Sequence, residues 1–80
     1  MSRRVLVLSG PNLNLLGERN PEVYGTATLA THEATVRDIL EPAGVTVDHV
    51  QSNSEATLIE TIHAARSTTS AIIFNPGALT

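Results

Sequence analysis

Three short stretches typical of strands alternate with two stretches of helical periodicity, and this alternation limits the fold more than any other feature of the sequence. Residues 5–8 and 71–74 are continuous apolar stretches, and residues 45–50 are rich in β-branched residues; both patterns are typical of strands. Between them, apolar residues recur at helical spacing over residues 29–41 and again over 58–65. The order strand, helix, strand, helix, strand predicts an α/β fold, a parallel sheet with helices on both faces.

Both predicted helices have residues that suit their ends. Thr28 and Ser54 can each accept a hydrogen bond from a free backbone N–H of the first turn, as N-cap residues do. Pro42 and Gly44 end the first helix, because the residue before a proline is pushed out of the helical region.

Each predicted strand exits into a turn that contains amide side chains. The three turns are GPN at 10–12, QSN at 51–53 and NPG at 75–77. In open parallel sheets, ligands bind outside the carboxyl ends of the strands, where the strand order reverses. If the order is 2-1-3, Asn12 and Asn75 face one crevice and belong to a polar ligand site. The alternative is that these residues are present only because they make good turns.

The connection after the first strand, GPNLNLLGERNPEVYG at 10–25, is about three times longer than a usual strand-to-helix loop. It contains Arg19 and Tyr24, the only tyrosine of the chain. A free tyrosine has a pKa of about 10, and a neighbouring cation lowers the pKa of an acidic group by about one to three. The pair is therefore a candidate tyrosinate base, on a loop whose glycines and prolines suit a lid. The other interpretation is an ordinary surface loop with a packed tyrosine.

The composition excludes several other chemistries. The chain has no lysine, which rules out a P-loop and, within these residues, catalysis through an imine. It has no cysteine, so neither a disulfide nor a thiolate metal site is available. The histidines show no spacing typical of a metal site, and we expect them to be solvated or packed; they are His32, His49 and His63.

Charge and apolar content also limit the partners. The net charge is −3 and only 2% of the residues are aromatic, so we expect no nucleic-acid binding. No apolar stretch approaches the roughly 18 residues of a membrane span, and the first one is shorter than the about seven to fifteen of a signal peptide. We therefore expect no membrane association and a soluble cytoplasmic protein.

The third strand has no predicted helix after it to cover its side of the sheet. A sheet of three strands with an uncovered apolar edge invites aggregation, and a chain of 80 residues buries only about 60% of its unfolded surface. We expect the chain to be the N-terminal part of a larger domain.

The stretches VLVLSGPNLNLLGERNPEVYG, QSNSEATLIE and FNPGALT together resemble the type II 3-dehydroquinate dehydratases. The resemblance implies a flavodoxin-like fold of which only the first βαβαβ part is present, so that residues 1–80 are the N-terminal part of a single dehydratase domain. It also implies elimination of water from 3-dehydroquinate through an enolate to give 3-dehydroshikimate, in the shikimate pathway to chorismate and the aromatic amino acids. The family needs no cofactor or metal and assembles as a homododecamer, a tetramer of trimers.

The same resemblance assigns roles to four residues. Tyr24 matches the proton acceptor, and Arg19 matches the residue that lowers the pKa of that tyrosine. Asn12 matches an asparagine that helps to stabilise the enolate, and Asn75 matches a substrate-binding residue. The family's general acid is a histidine of the second half, so we expect the 80 residues to be inactive alone.

Three other interpretations stay open. The protein could act in quinate catabolism instead of biosynthesis. It could be a flavodoxin-like module that binds a small acid without turnover. It could also be a structural half-domain that assembles only with a partner segment.

Overall fold

A computed structural model describes residues 3–18 and 25–79 of the chain. It contains three strands and two α-helices in the predicted order; these are β1 (Arg3–Ser9), α1 (Leu29–Leu40), β2 (Val45–Gln51), α2 (Glu55–Ala65) and β3 (Ala71–Asn75). Short 3₁₀ turns follow β1, α1 and β3, at Leu13–Leu15, Glu41–Ala43 and Gly77–Leu79. Each strand extends one or more residues beyond its predicted bounds, because pairing uses backbone groups that polar residues also carry.

The three strands form one parallel sheet in the order β2-β1-β3. In the register of the sheet, Leu8 of β1 lies opposite Val50 of β2 and opposite Phe74 of β3. The strand order therefore reverses between β1 and β3, and the expected order 2-1-3 is confirmed. The turns that follow these two strands leave the sheet at the same edge.

The helix ends follow the predicted cap chemistry. The Thr28 hydroxyl accepts from the backbone N–H of Thr31 at 3.2 Å, and the Thr31 hydroxyl accepts from the backbone N–H of Thr28 at 3.3 Å. At α2, the Ser54 hydroxyl accepts from the backbone N–H of Thr57 at 3.3 Å. These bonds satisfy N–H groups that a helix start otherwise leaves free. Within the described ranges, neither helix has the length and apolar character to cross a bilayer.

One face of the sheet is covered by α2. Leu6 and Leu8 of β1 pack there against Leu58 and Ala65 of α2. Leu8 has no exposed surface, and Leu58 is 2% exposed. The buried core is thus built from aliphatic side chains, since the chain contains only one phenylalanine and one tyrosine.

The other face is covered by α1. Val47 and His49 alternate with Val50 along β2, so their side chains face away from α2. Arg37 of α1 donates from Nη1 to the carbonyl oxygen of Val47 at 2.7 Å, and Glu33 of α1 contacts His49. Helices therefore lie on both faces of the sheet, as predicted.

The least covered strand is β3. Ile72, Ile73 and Phe74 are 38%, 48% and 44% exposed. In the described part of the chain, β3 pairs with β1 alone. The third strand of the sheet is thus an apolar edge, as the sequence predicted.

Candidate active site

The turns after β1 and β3 are joined backbone to backbone. The N–H of Gly10 donates to the carbonyl oxygen of Asn75 at 2.8 Å, and the N–H of Ala78 donates to the carbonyl oxygen of Pro11 at 3.1 Å. Together these bonds hold the two turns against each other at the carboxyl edge of the sheet. They place the segments that carry Asn12 and Asn75 side by side.

Two glycines make this close approach possible. A Cβ atom on Gly10 would lie 2.1 Å from the carbonyl oxygen of Pro76. A Cβ atom on Gly77 would lie 2.5 Å from the carbonyl oxygen of Pro11, and Gly77 also has a positive φ of 56°. Because both clashes involve backbone atoms, any larger residue at either position must push the two turns apart.

Asn12 begins the 3₁₀ turn in a left-handed conformation, with φ 69° and ψ −6°. It is the only described residue other than glycine with a positive φ. Its backbone N–H donates to Oδ1 of Asn53 at 3.0 Å. Its side chain is exposed and makes no cap hydrogen bond, so this amide is available to a ligand.

Asn75 ends β3 and shapes the turn that follows it. Its Oδ1 accepts from the backbone N–H of Gly77 at 3.1 Å, an arrangement by which asparagine favours a turn. The residue is exposed. Its Nδ2 group, the donor end of the side chain, is not used in this turn.

A network of amides links the end of β2 to the turn after β1. Nε2 of Gln51 lies 3.3 Å from the carbonyl oxygen of Gly10, 3.4 Å from Oδ1 of Asn14 and 3.2 Å from Oδ1 of Asn53. The sequence showed that amides follow the second strand, but not that they hold Asn12. Gln51 and Asn53 therefore belong to the candidate site by their contacts with the turn after β1. The sequence did not assign them to it, although the QSN turn was their signal.

Arg19 and Tyr24 lie outside the described residues. The described residues on either side of them come close together: a Cβ atom on Gly17, whose φ is +86°, would lie 2.8 Å from the carbonyl oxygen of Thr26. The long connection therefore leaves and rejoins the described fold at neighbouring points. The roles of Arg19 and Tyr24 stay predictions.

Of the three histidines, His49 is the packed one. Its side chain is 11% exposed, its Nδ1 lies 2.8 Å from Oε1 of Glu33, and its Nε2 lies 3.0 Å from Oγ of Ser9. This serine–histidine–carboxylate connectivity matches that of serine hydrolases. Ser9 is only 3% exposed, on the side of the sheet that α1 covers, so a substrate has no access to its hydroxyl and the three side chains serve packing.

His32 and His63 are exposed. Together with His49, they fit the expectation that each histidine is solvated or packed. Nowhere in residues 3–18 and 25–79 do three or more His, Cys, Asp or Glu side chains come together as metal ligands could.

The family model of class II dehydroquinases matches residues 3–80. The chain belongs to this family. The resemblance read from the three sequence stretches is thereby confirmed. In this class II dehydroquinase chain, the GPN and NPG turns of the matching stretches lie at the carboxyl edge of the sheet and bring Asn12 and Asn75 there.

Two relatives of the chain have names that agree with this family. The chain is 51% identical to a 3-dehydroquinate dehydratase of Corynebacterium efficiens, over 80 residues that are 100% of this chain and 53% of the relative. It is 46% identical to a catabolic 3-dehydroquinase of Neosartorya fischeri, with the same two coverages of 100% and 53%.

A solved structure confirms the fold. The type II dehydroquinase of Butyrivibrio crossotus superposes with a TM-score of 0.90 at 34% identity, over 99% of this chain and 55% of that one. The chain thus has the fold of the matching part of a type II dehydroquinase and spans about half the length of the relatives it matches.

Proposed function

We propose that the protein containing this chain is a 3-dehydroquinate dehydratase, a hydro-lyase that converts 3-dehydroquinate to 3-dehydroshikimate through an enolate. The observation that carries the proposal is the family match over residues 3–80. The joined turns after β1 and β3 support it, because they bring two exposed amide residues to the strand ends where ligands of parallel sheets bind.

In this proposal Asn12 stabilises the enolate, through a water molecule. The proton next to a ketone is removed readily only if the negative charge that develops on oxygen is stabilised by prepositioned donors. Asn12 suits this role because its conformation is set by the fold while its side-chain amide is left exposed. Asn75 binds substrate, and its Nδ2 group is the donor it can offer, since Oδ1 already serves the turn.

Tyr24 is the proposed base that removes the proton, and Arg19 is the cation that lowers its pKa. A guanidinium beside a phenol favours the charged phenolate and so brings the tyrosine nearer to neutral pH. This assignment rests on the match between the motif and the family.

The hydroxyl group must leave as water, which calls for a general acid. No described histidine suits that role: His49 is paired with Glu33 and Ser9, and His32 and His63 match no family motif. We therefore propose that the acid is a histidine outside these 80 residues and that this stretch alone is inactive.

We propose further that residues 1–80 are the N-terminal part of one dehydratase domain. The protein assembles as a homododecamer, a tetramer of trimers, and acts in the cytoplasm without a cofactor or metal. Its substrate is 3-dehydroquinate, and it has no nucleic-acid or membrane partner. The shikimate pathway is the proposed setting; the relative called a catabolic 3-dehydroquinase is the observation that favours quinate catabolism as the second candidate.

The test is to add 3-dehydroquinate to the complete protein and to follow the ultraviolet absorbance of the conjugated enone. Rising absorbance above the rate without protein is expected. If calorimetry shows that 3-dehydroquinate binds but absorbance does not rise, the proposed dehydratase activity is overturned. That result would favour a module that binds a small acid without turnover.

A further inference from the structure

We propose that Gln51 and Asn53 are positioning residues for the dehydration step, which they serve by holding Asn12 in its left-handed conformation. The inference rests on the proposed function of the site. It starts from the one non-glycine residue with positive φ in the described part of the chain, Asn12 at φ 69°.

A left-handed conformation needs support from the surrounding structure. Residues with a Cβ atom avoid this region, and asparagine is one of the few that visit it as single residues. Such a conformation persists only where the surroundings over-determine it, and it is then often part of a functional site. The contacts of Asn12 with its neighbours should therefore show what fixes it.

The side-chain oxygen of Asn53 accepts the two hydrogen bonds that connect Asn12 to Gln51. Oδ1 of Asn53 accepts from the backbone N–H of Asn12 at 3.0 Å and from Nε2 of Gln51 at 3.2 Å. Nε2 of Gln51 also lies 3.3 Å from the carbonyl oxygen of Gly10, two residues before Asn12. Gln51 thus orients the asparagine that holds Asn12 and contacts the same turn directly.

Both positioning residues stand on rigid parts of the fold. Gln51 is the last residue of β2. The next residue, Ser52, donates its N–H to the carbonyl oxygen of Ser9 at 3.0 Å, and its Oγ accepts from the N–H of Ser54 at 3.0 Å. Since Ser54 is the N-cap of α2, Asn53 is anchored at both ends, to the sheet and to a helix.

The direction of the bonds predicts which substitutions matter. Asn53 acts here only as an acceptor, so Asn53→Asp keeps the bond to Asn12 while Asn53→Ala removes it. Gln51 acts here only as a donor, so Gln51→Glu, which has nearly the same shape, faces the oxygens of Gly10 and Asn53 with another oxygen. The positioning role therefore predicts that Gln51→Glu impairs turnover. If Gln51 only filled space, Gln51→Glu would have no effect, because the two side chains have nearly the same shape.

The experiment measures kcat and KM of the complete protein for 3-dehydroquinate. We expect Asn53→Ala and Gln51→Glu to lower kcat by about 10-fold to 100-fold, as misplaced catalytic groups do. KM should change by less than about 3-fold, because the enolate contact is made in the transition state. Asn53→Asp should retain most of kcat. Ser67 is an exposed turn residue, and Ser67→Ala serves as the control for truncating a surface side chain.

A double-mutant cycle tests whether the effect passes through Asn12. Asn12→Gly removes the side-chain amide, and glycine adopts the left-handed conformation without penalty. In protein that already carries Asn12→Gly, Asn53→Ala should lower kcat by less than about 2-fold, because the effects of substitutions at coupled residues are not additive. An equal fold-loss in both backgrounds would overturn the positioning role, and so would a wild-type kcat in Asn53→Ala.

A crystal structure of Asn53→Ala separates this inference from the proposed function. The φ of Asn12 is expected to leave the left-handed region. If wild-type protein shows no turnover, the proposed function fails; if Asn12 keeps its φ in Asn53→Ala, the positioning role fails whatever the wild-type protein does.

Discussion

The backbone N–H of Gly10 donates to the carbonyl oxygen of Asn75 at 2.8 Å, and this bond extends the pairing of β1 and β3 past the end of the sheet. It joins the turn that carries Asn12 to the turn that Asn75 opens. Two amides that are far apart in the sequence therefore belong to one edge of the fold. The proposed site depends on this junction staying closed.

Gly10→Ala should break that junction. The added Cβ would lie 2.1 Å from the carbonyl oxygen of Pro76, so the turns must separate. We expect the free energy of unfolding in urea to fall by about 1–3 kcal/mol, as for other overpacked sites, and KM for 3-dehydroquinate to rise.

Gly44→Ala is the matched control for this prediction. Gly44 has φ +83° and open space around it, so its substitution strains the backbone without a clash. It lies directly before β2, at the amino edge of the sheet and so opposite the turns that follow β1 and β3. It should lower stability by about 1 kcal/mol and leave KM unchanged. Equal KM for Gly10→Ala and wild type would show that the junction does not shape the site.

Glu33→Ala should destabilise the protein because its carboxylate is a partner of the packed His49 side chain. Oε1 of Glu33 lies 2.8 Å from Nδ1 of His49, a side chain that is only 11% exposed. Without the carboxylate, the imidazole loses a hydrogen bond that water replaces poorly, which costs about 1–3 kcal/mol. The control is Glu41→Ala. The Glu41 side chain is 51% exposed and its Oε2 lies 3.6 Å from Nη1 of Arg37, so this substitution should cost less than about 1 kcal/mol. Urea unfolding compares the two, and equal losses would contradict this account.

Arg19→Ala should move the pH dependence of turnover. Removing the guanidinium takes away the cation that favours the phenolate, so the pKa of Tyr24 should rise toward the free value of about 10. Because the phenolate is the active form in the proposed mechanism, the acidic limb of the profile of kcat/KM against pH should shift to higher pH. An unchanged limb would remove Arg19 from this role.

Reduction with borohydride in the presence of 3-dehydroquinate should leave the complete protein active. The proposed route passes through a free enolate, and no lysine is present among these 80 residues to form an imine with the ketone. Activity after treatment and the mass of the protein are the measurements. Inactivation together with a covalent adduct would refute the enolate route.

Local chemistry explains why much of the fold can be predicted from the sequence. The caps at Thr28 and Ser54 depend on side chains within three residues of the helix start, and strand positions follow from short apolar stretches. The amide pattern at the strand ends likewise predicts that Asn12 and Asn75 lie near each other at the carboxyl edge of the sheet. The side chains that hold Asn12 could not be assigned in this way, because the bond from Asn12 to Asn53 joins positions 41 apart.

The sequence also does not predict which side chains are packed against each other when they are far apart along the chain. The histidine pattern indicates solvated or packed side chains, but spacing does not say which histidine is packed or with what. His49 is packed, with its side chain only 11% exposed, because its strand position faces α1, where Glu33 lies. Such pairings arise only when the sheet and helix are assembled, so they are properties of the fold and not of any single stretch of sequence.

The most direct test of the central claim compares wild-type and Tyr24→Phe forms of the complete protein with 3-dehydroquinate. Phenylalanine keeps the ring but lacks the hydroxyl that the proposal makes the base. We predict that the wild-type protein produces the conjugated enone, seen as rising ultraviolet absorbance, and that Tyr24→Phe binds substrate by calorimetry but loses most of this turnover. Near-normal turnover by Tyr24→Phe, or no turnover by the wild-type protein, would contradict the account.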